Sequence, residues 1–123
     1  MTQFQLGGHD VQVEPWTTWW PASIFNKQQG VEVKVDPERH WWCLWICQST
    51  TDVDKIECAA ELSSAIAQPA QISSSCTSCG DLVIRSASSW GYSAPWLYQR
   101  ADFSASVTIE GQGYSVKGEL LYS

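Results

Sequence analysis

The sequence predicts an all-β fold, a single antiparallel β-sandwich or flattened barrel of about seven or eight strands. Three observations predict it. The chain has 123 residues, the size of one domain with one hydrophobic core, so we expect a single β domain over residues 1–123. Apolar and polar residues alternate with a period of two in several stretches, the pattern of strands with one buried face. Turns that contain glycine or proline separate these stretches.

The amino-terminal elements are a hairpin and a valine-rich strand. FQL and DVQVE flank Gly7 and Gly8, which predicts a hairpin, and the valines of VEVKV at residues 31–35 alternate up to the sequence DP. Residues 1–14 are set apart from the rest by Pro15. We expect them to form either an edge hairpin or an arm that pairs with the sheet edge of a neighbouring subunit.

The stretch HWWCLWICQ at residues 40–48 is apolar on both faces if it is a strand. Trp41 and Cys43 then point to one side, and Trp42 and Leu44 to the other. This pattern is typical of a central strand in a two-layer β protein, or of a strand whose second face meets a partner.

The middle of the chain leaves two alternatives open. As a strand, KIECAAEL places four apolar residues on one side, namely Ile56, Cys58, Ala60 and Leu62. Ala, Glu and Leu are also good helix formers, so one short helix between Asp54 and Gln68, ended by Pro69, is the alternative. The next segment, DLVIRSAS, predicts another strand.

The carboxy-terminal part predicts an antiparallel hairpin. FSASVTIE alternates Phe, Ala, Val and Ile with Ser, Thr and Glu, and YSVKGELLY resumes the alternation after GQG. Glycine supplies the positive backbone angles that a short turn needs.

The charge pattern excludes two classes of partner. The chain has 13 Asp and Glu against 7 Lys and Arg, a net charge of −6, and no basic cluster. A surface that tracks phosphates needs concentrated Lys and Arg, so we expect no nucleic-acid binding. No apolar run approaches the roughly 18 residues of a membrane span, and the amino terminus lacks a signal-peptide pattern, so we expect neither a membrane partner nor a signal peptide.

The five cysteines are interpreted as reduced thiols that serve as small apolar residues, and we expect no metal. CTSCG has the spacing of half a zinc ribbon, but on a strand Cys43 and Cys47 lie about 13 Å apart, too far to share one ion. A zinc site formed by Cys58, Cys76, Cys79 and one more ligand is one alternative, and disulfide bonds are the other if the protein works outside the cell.

The residues for acid–base catalysis are few, and we expect no enzyme and no cofactor. The histidines are His9, which we expect to be exposed beside the Gly-Gly turn, and His40, which opens an apolar strand. The motifs GxSxG and HExxH are absent. Glu57 and Glu61 are expected to be solvated.

Eight tryptophans in 123 residues exceed what a small core hides completely, so we expect some at a surface that meets a partner. PWTTWWP and WGYSAPWLYQR place aromatic residues in sequence typical of loops, and residues 15–26 and 86–99 contain no charged residue. The candidate interface residues are Trp16, Trp19, Trp20, Trp90, Tyr92, Trp96 and Tyr98. Aromatic residues are enriched, and charges depleted, at the centres of protein interfaces.

A small acidic β domain with this aromatic surface and no catalytic set resembles the small all-β accessory proteins of tailed bacteriophages, which decorate capsids or build tails and baseplates. The resemblance covers the whole chain by size and composition. It implies a structural subunit of a virion, made in the host cytoplasm, that associates with itself or with other subunits. The alternative is a carbohydrate-binding β-sandwich module that stacks sugar rings on exposed Trp and Tyr.

Overall fold

The chain folds into two four-stranded antiparallel sheets packed face to face, as seen in a computed structural model. The structure describes residues 2–17, 26–37, 52–65, 68–78, 82–91 and 98–122. These residues contain no helix, and the predicted all-β sandwich is confirmed. The strands are β1 (Thr2–Leu6), β2 (His9–Thr17), β3 (Asn26–Val35), β4 (Val53–Ser63), β5 (Ala70–Thr77), β6 (Val83–Gly91), β7 (Arg100–Ile109) and β8 (Gln112–Leu121).

Sheet 1 has the strand order β1-β2-β3-β6, and sheet 2 has the order β5-β4-β7-β8. The chain crosses from sheet 1 to sheet 2 between β3 and β4, crosses back between β5 and β6, and crosses again between β6 and β7. β5 and β6, the edge strands on one side, pack alongside each other. The crossings bring the ends of strands from both sheets together at each end of the sandwich.

The core is built from the alternating positions that the sequence indicated. On sheet 1 five valines are completely buried, namely Val11, Val13, Val31, Val33 and Val35. Sheet 2 contributes five residues to the core that are each at most 1 % exposed, namely Ile56, Leu62, Ala101, Ala105 and Val107. Burial of such a side chain contributes about 1.5–3 kcal/mol, which makes this interface the main source of stability. Cys58 lies in the same core at 2 % exposure.

Both predicted hairpins are present. Gly7 and Gly8, with φ of 56° and 84°, form the turn that pairs Leu6 with His9. Residues 2–14 belong to this hairpin, and β2 is paired on both sides. The stretch is therefore an edge hairpin of its own sheet rather than a free arm.

The carboxy-terminal hairpin turns at Glu110 and Gly111, which have φ of 50° and 81°. Ile109 pairs with Gln112, so the turn begins one residue earlier than the GQG sequence indicated. The second glycine of that sequence lies inside β8.

The short helix between Asp54 and Gln68 is wrong, because these residues contribute the strand β4. β4 is paired with β5 on one side and with β7 on the other. Burial of alternate side chains and two ladders of hydrogen bonds override the helix propensity of Ala, Glu and Leu. The predicted strand at residues 40–48 lies outside the described residues.

One end of the sandwich is joined by three uncharged hydrogen bonds, which we call the neutral clasp. The Gln29 amide of β3, fully buried, donates through Nε2 to the Tyr98 carbonyl at 3.0 Å, and its Oε1 accepts from the Tyr98 N–H at 2.8 Å. The Tyr122 hydroxyl, just after β8, donates to the Gly30 carbonyl at 2.7 Å. The neutral clasp thus ties sheet 1 to the two residues that flank sheet 2 at this end.

Candidate functional site

The outer face of sheet 1 carries an aromatic–cation contact that spans three strands. Trp16 on β2 pairs with Gly30 on β3, and Gly30 pairs with Ala87 on β6. The Arg85 guanidinium on β6 lies 5.7 Å from the centroid of the Trp16 ring. Because Gly30 has no side chain, the indole can extend across β3 to reach Arg85.

Gly30 is also required by the backbone of the neighbouring strand. A Cβ atom at this position would lie 1.7 Å from the carbonyl oxygen of Ser86. The approach of β6 to β3 is therefore possible only with glycine here, and it sets the distance over which Trp16 meets Arg85.

Glu32 lies opposite Arg85 on the neighbouring strand and orients its guanidinium through an ion pair. Its side chain is 7 % exposed and forms ion pairs with Arg85 and, at 3.2 Å, with Lys34. The hydrogen bond that Lys34 donates to Glu32, together with the charges of Glu32 and Glu14, raises the pKa of Lys34 against the opposing effect of its burial. Lys34 also lies 3.6 Å from Glu14. The two carboxylates and the two cationic side chains balance, so this cluster carries no net charge.

We call Trp16, Arg85 and Glu32 the Trp16 patch. The planar indole of Trp16 lies against the planar guanidinium of Arg85, which the buried Glu32 carboxylate holds in place. Rigid planar groups of this kind present a large contact area and lose little side-chain freedom on binding. Trp and Arg are the residue types most enriched among interface residues that dominate binding energy. The patch can therefore bind a flat, partly apolar surface.

The seven predicted interface residues differ in where the structure places them. Trp16 is half-buried on the outer face of sheet 1. Tyr98 is 6 % exposed and belongs to the core, so it does not contribute to a surface. Trp90 lies in β6, but its side chain is outside the description. Trp19, Trp20, Tyr92 and Trp96 lie outside the described residues.

Arg85 and Glu32 were missed by the sequence analysis. Glu32 occupies a polar position of the predicted strand VEVKV, and Arg85 occupies one of DLVIRSAS. Charged residues are ordinary at such positions. The signal that distinguishes them is the register of three strands. It places Arg85 opposite Glu32, two residue pairs from the row that contains Trp16, and therefore on the same face of the sheet. That register is not readable from either strand alone.

The outer face of sheet 2 carries a second feature, a shallow trough of about 730 Å³. It is lined by small residues, including Ala59, Ser73 and Ser104, and by polar side chains such as Glu61 and Lys117. Such a lining can form hydrogen bonds with a polyhydroxyl ligand. No tryptophan or tyrosine is among the described residues that line it.

The cysteines do not form the zinc site considered above. Cys76 is disulfide-bonded, so the interpretation of the cysteines as reduced thiols is wrong for this residue. Cys58 is a free thiol in the core, and burial raises its pKa. The alternative of a zinc site that uses both Cys58 and Cys76 is therefore wrong. The described part of the chain contains no group of three or more potential metal ligands.

Glu57 and Glu61 are exposed, as expected, and the Glu57 carboxylate lies 2.6 Å from the Lys55 ammonium. His9, expected to be exposed, has a side chain only 13 % exposed. No helix among the described residues is long and apolar enough to cross a membrane. Comparison with known proteins finds no similar family model, curated protein or solved structure.

Proposed function

We propose that the chain is a non-enzymatic structural subunit of a larger protein assembly and that it docks through the Trp16 patch. The observation that carries the proposal is the arrangement of Trp16 and Arg85 over the buried Glu32. An aromatic and a cationic side chain held by a buried partner match the anatomy of an interface centre. The surrounding side chains of Gln12, Glu14 and Lys34 supply a polar rim.

The assembly that we propose is a virion, in which the chain decorates the capsid or forms part of the tail or baseplate. The support is the resemblance in size, acidity, aromatic content and all-β architecture to small accessory proteins of tailed bacteriophages. Such subunits bind through surfaces rather than through catalytic clefts, which fits a candidate site that lies on a sheet face.

The second candidate function is carbohydrate binding, and the trough on sheet 2 is the observation that favours it. Hydroxyl, carboxylate, amide and ammonium groups line it, which suits the donors and acceptors of a sugar. It ranks second because sugar-binding β modules gain much of their affinity from stacking on aromatic rings, and the described lining offers no Trp or Tyr.

The experiment is light scattering with native mass spectrometry on the purified chain and on three variants. We expect the wild-type chain to self-associate, and Trp16→Ala and Arg85→Ala to weaken association by about tenfold or more, the loss typical of residues at an interface centre. Leu121→Ala is the matched control, since Leu121 is 68 % exposed on the opposite sheet. Circular dichroism verifies that each variant is folded.

A wild-type chain that stays monomeric at high concentration, and whose tryptophan fluorescence shifts on addition of an oligosaccharide, would contradict the assembly proposal in favour of the second candidate. Equal association of the wild type, Trp16→Ala and Arg85→Ala would remove the Trp16 patch from the proposal.

A further inference from the structure

The end of the sandwich opposite the neutral clasp is joined by a histidine between two carboxylates. His9, the first residue of β2, has its Nδ1 atom 2.5 Å from Oδ2 of Asp36 and its Nε2 atom 2.8 Å from Oδ1 of Asp52. Asp36 directly follows β3, and Asp52 directly precedes β4. We call His9, Asp36 and Asp52 the charged clasp.

The two carboxylates are anchored in different sheets. Asp36 adopts a φ of 48°, and its N–H donates to the Asp10 carbonyl at 2.7 Å. Its Oδ1 accepts from the Asp10 N–H at 3.1 Å. On the side of sheet 2, the Asp52 carbonyl accepts from the Glu110 N–H at 3.2 Å. The imidazole ring therefore connects strand ends of sheet 1 with the start of β4 and the β7–β8 turn.

The contacts of the ring require a proton on each nitrogen. A neutral imidazole has one N–H and one lone pair, so it can donate to only one carboxylate, whereas the imidazolium ion donates to both. Deprotonation leaves a lone pair facing a carboxylate oxygen at hydrogen-bond distance. The geometry on both sides of the ring thus fits the charged form of His9.

The ionisable groups that contact this end from neighbouring elements, within the described residues, are Asp10 on β2, Asp54 on β4 and Glu110 in the β7–β8 turn. The Asp10 carboxylate accepts from the Gln5 amide, and Asp54 Oδ2 accepts from the Gly111 N–H at 3.0 Å. All three groups are acidic, so none of them adds a positive charge that would oppose protonation of the ring. Partial burial opposes that charge, but hydrogen bonds and attraction from Asp36 and Asp52 outweigh it and raise the pKa of His9 above 6.5.

We propose that His9 is a pH-dependent switch: protonated, it locks the two sheets together at this end, and deprotonated, it releases Asp52. Asp52 is the partner released because its side chain is 41 % exposed, so water can replace the ring. Asp36 is 15 % exposed and remains held by the Asp10 N–H. The inference rests on this geometry and is independent of the proposed function.

The direction of the effect follows from linkage. A group whose pKa is higher in the folded than in the unfolded chain stabilises the fold below its unfolded pKa of about 6.5, and this stabilisation is lost as the pH rises through the folded pKa. The charged clasp is thus closed in weakly acidic solution and opens at higher pH. Its opening removes one charge-assisted hydrogen bond between the sheets.

The experiment combines thermal unfolding from pH 5.5 to 9 with an NMR titration of the histidine ring nitrogens in the full chain. We expect His9 to titrate above pH 6.5, both ring nitrogens to carry protons below that midpoint, and the Asp52 side-chain signal to shift with the same midpoint. We expect the wild-type melting temperature to fall by about 5 °C across the titration relative to His9→Gln. His40→Gln is the control, since His40 is the other histidine of the chain, and it should keep the wild-type pH profile.

Two results would overturn the switch. One is a wild-type pH profile that His9→Gln leaves intact and His40→Gln abolishes. The other is an NMR titration of the wild-type chain that lacks the expected coupling, with either a His9 midpoint at or below 6.5 or an Asp52 signal that does not follow that midpoint. The NMR readouts use the unmodified protein, so the test holds even if His9→Gln does not fold.

Discussion

The two ends of the sandwich join the same two sheets by different chemistry. The neutral clasp uses an amide, a phenol and backbone groups, with Gln29 fully buried and Tyr98 6 % exposed. The charged clasp uses an imidazole and two carboxylates, with His9 13 % and Asp52 41 % exposed. Uncharged groups thus serve where water is excluded, and ions serve where water is near.

This difference follows from the cost of removing a charge from water. A buried amide that makes both of its hydrogen bonds is tolerated, whereas a buried ion costs several kcal/mol unless its pairing is nearly complete. At the charged clasp, partial exposure reduces that cost. It also makes the contact responsive to pH and salt.

The neutral clasp does not share that response. Burial, with a smaller contribution from Cys58, raises the pKa of Tyr122 well above its usual value, so the hydroxyl keeps its proton throughout the range in which His9 titrates. The Gln29 amide does not titrate. The neutral clasp therefore keeps its hydrogen bonds over the pH range in which the charged clasp changes its protonation.

The largest expected effect comes from breaking the neutral clasp at Gln29. Gln29→Leu removes both buried hydrogen bonds between the Gln29 amide and the Tyr98 backbone, and we expect a loss of about 3 kcal/mol in the free energy of unfolding, equal at pH 6 and pH 9. Denaturant titration at both pH values measures it. Gln3→Leu, on the exposed face of β1, is the matched control and should change stability by less than about 0.5 kcal/mol. A loss at Gln29 that varied with pH would contradict the distinction between the two clasps.

A smaller effect is expected at the other hydrogen bond of the neutral clasp. Tyr122→Phe removes the hydroxyl that donates to the Gly30 carbonyl, and we expect a loss of about 1 kcal/mol. The same denaturant titrations check it. Tyr114→Phe provides the comparison, because no hydrogen bond of the Tyr114 hydroxyl is found among the described residues. Equal losses in the two variants would mean that the Tyr122 bond adds nothing specific.

The smallest effect is expected at the charged clasp. Asp52→Asn removes one of the two charges that face His9, and we expect a loss of less than about 1 kcal/mol at pH 6 because water screens this exposed carboxylate. The loss should diminish as the pH rises and the ring gives up its proton, and the pKa of His9 should be lower in this variant than in the wild type. Asp54→Asn serves as the reference, since its amide oxygen can still accept from Gly111. The idea fails if both variants behave alike at both pH values.

The sequence predicted the strands better than it predicted what joins them. Alternation identifies strands and hairpins because a strand with one buried face imposes a period of two on its own residues. At β4 the same alternation was present, but the helix propensity of Ala and Glu competed with it, and pairing on both sides decided the outcome. Contacts between strand ends leave no such local pattern.

The two clasps show why the contacts between strand ends could not be predicted from the sequence. Gln29 meets Tyr98 69 positions along the chain, and His9 meets Asp52 43 positions along. His9 was expected to be exposed because it follows a Gly-Gly turn, yet two distant carboxylates cover it. Likewise, aromatic composition singled out Trp16 as a surface residue, but only the register of three strands reveals Arg85 and Glu32 as its companions.

Gly30 has a consequence for how this protein can evolve. Its α-carbon faces the Ser86 carbonyl so closely that even a methyl group would collide with the backbone of β6, while Gly113 has open space around it. Substitution is therefore tolerated at Gly113 and excluded at Gly30. In homologues of this chain, the glycine at position 30 should persist after the surface around it has diverged, and it would mark the register of β3 against β6.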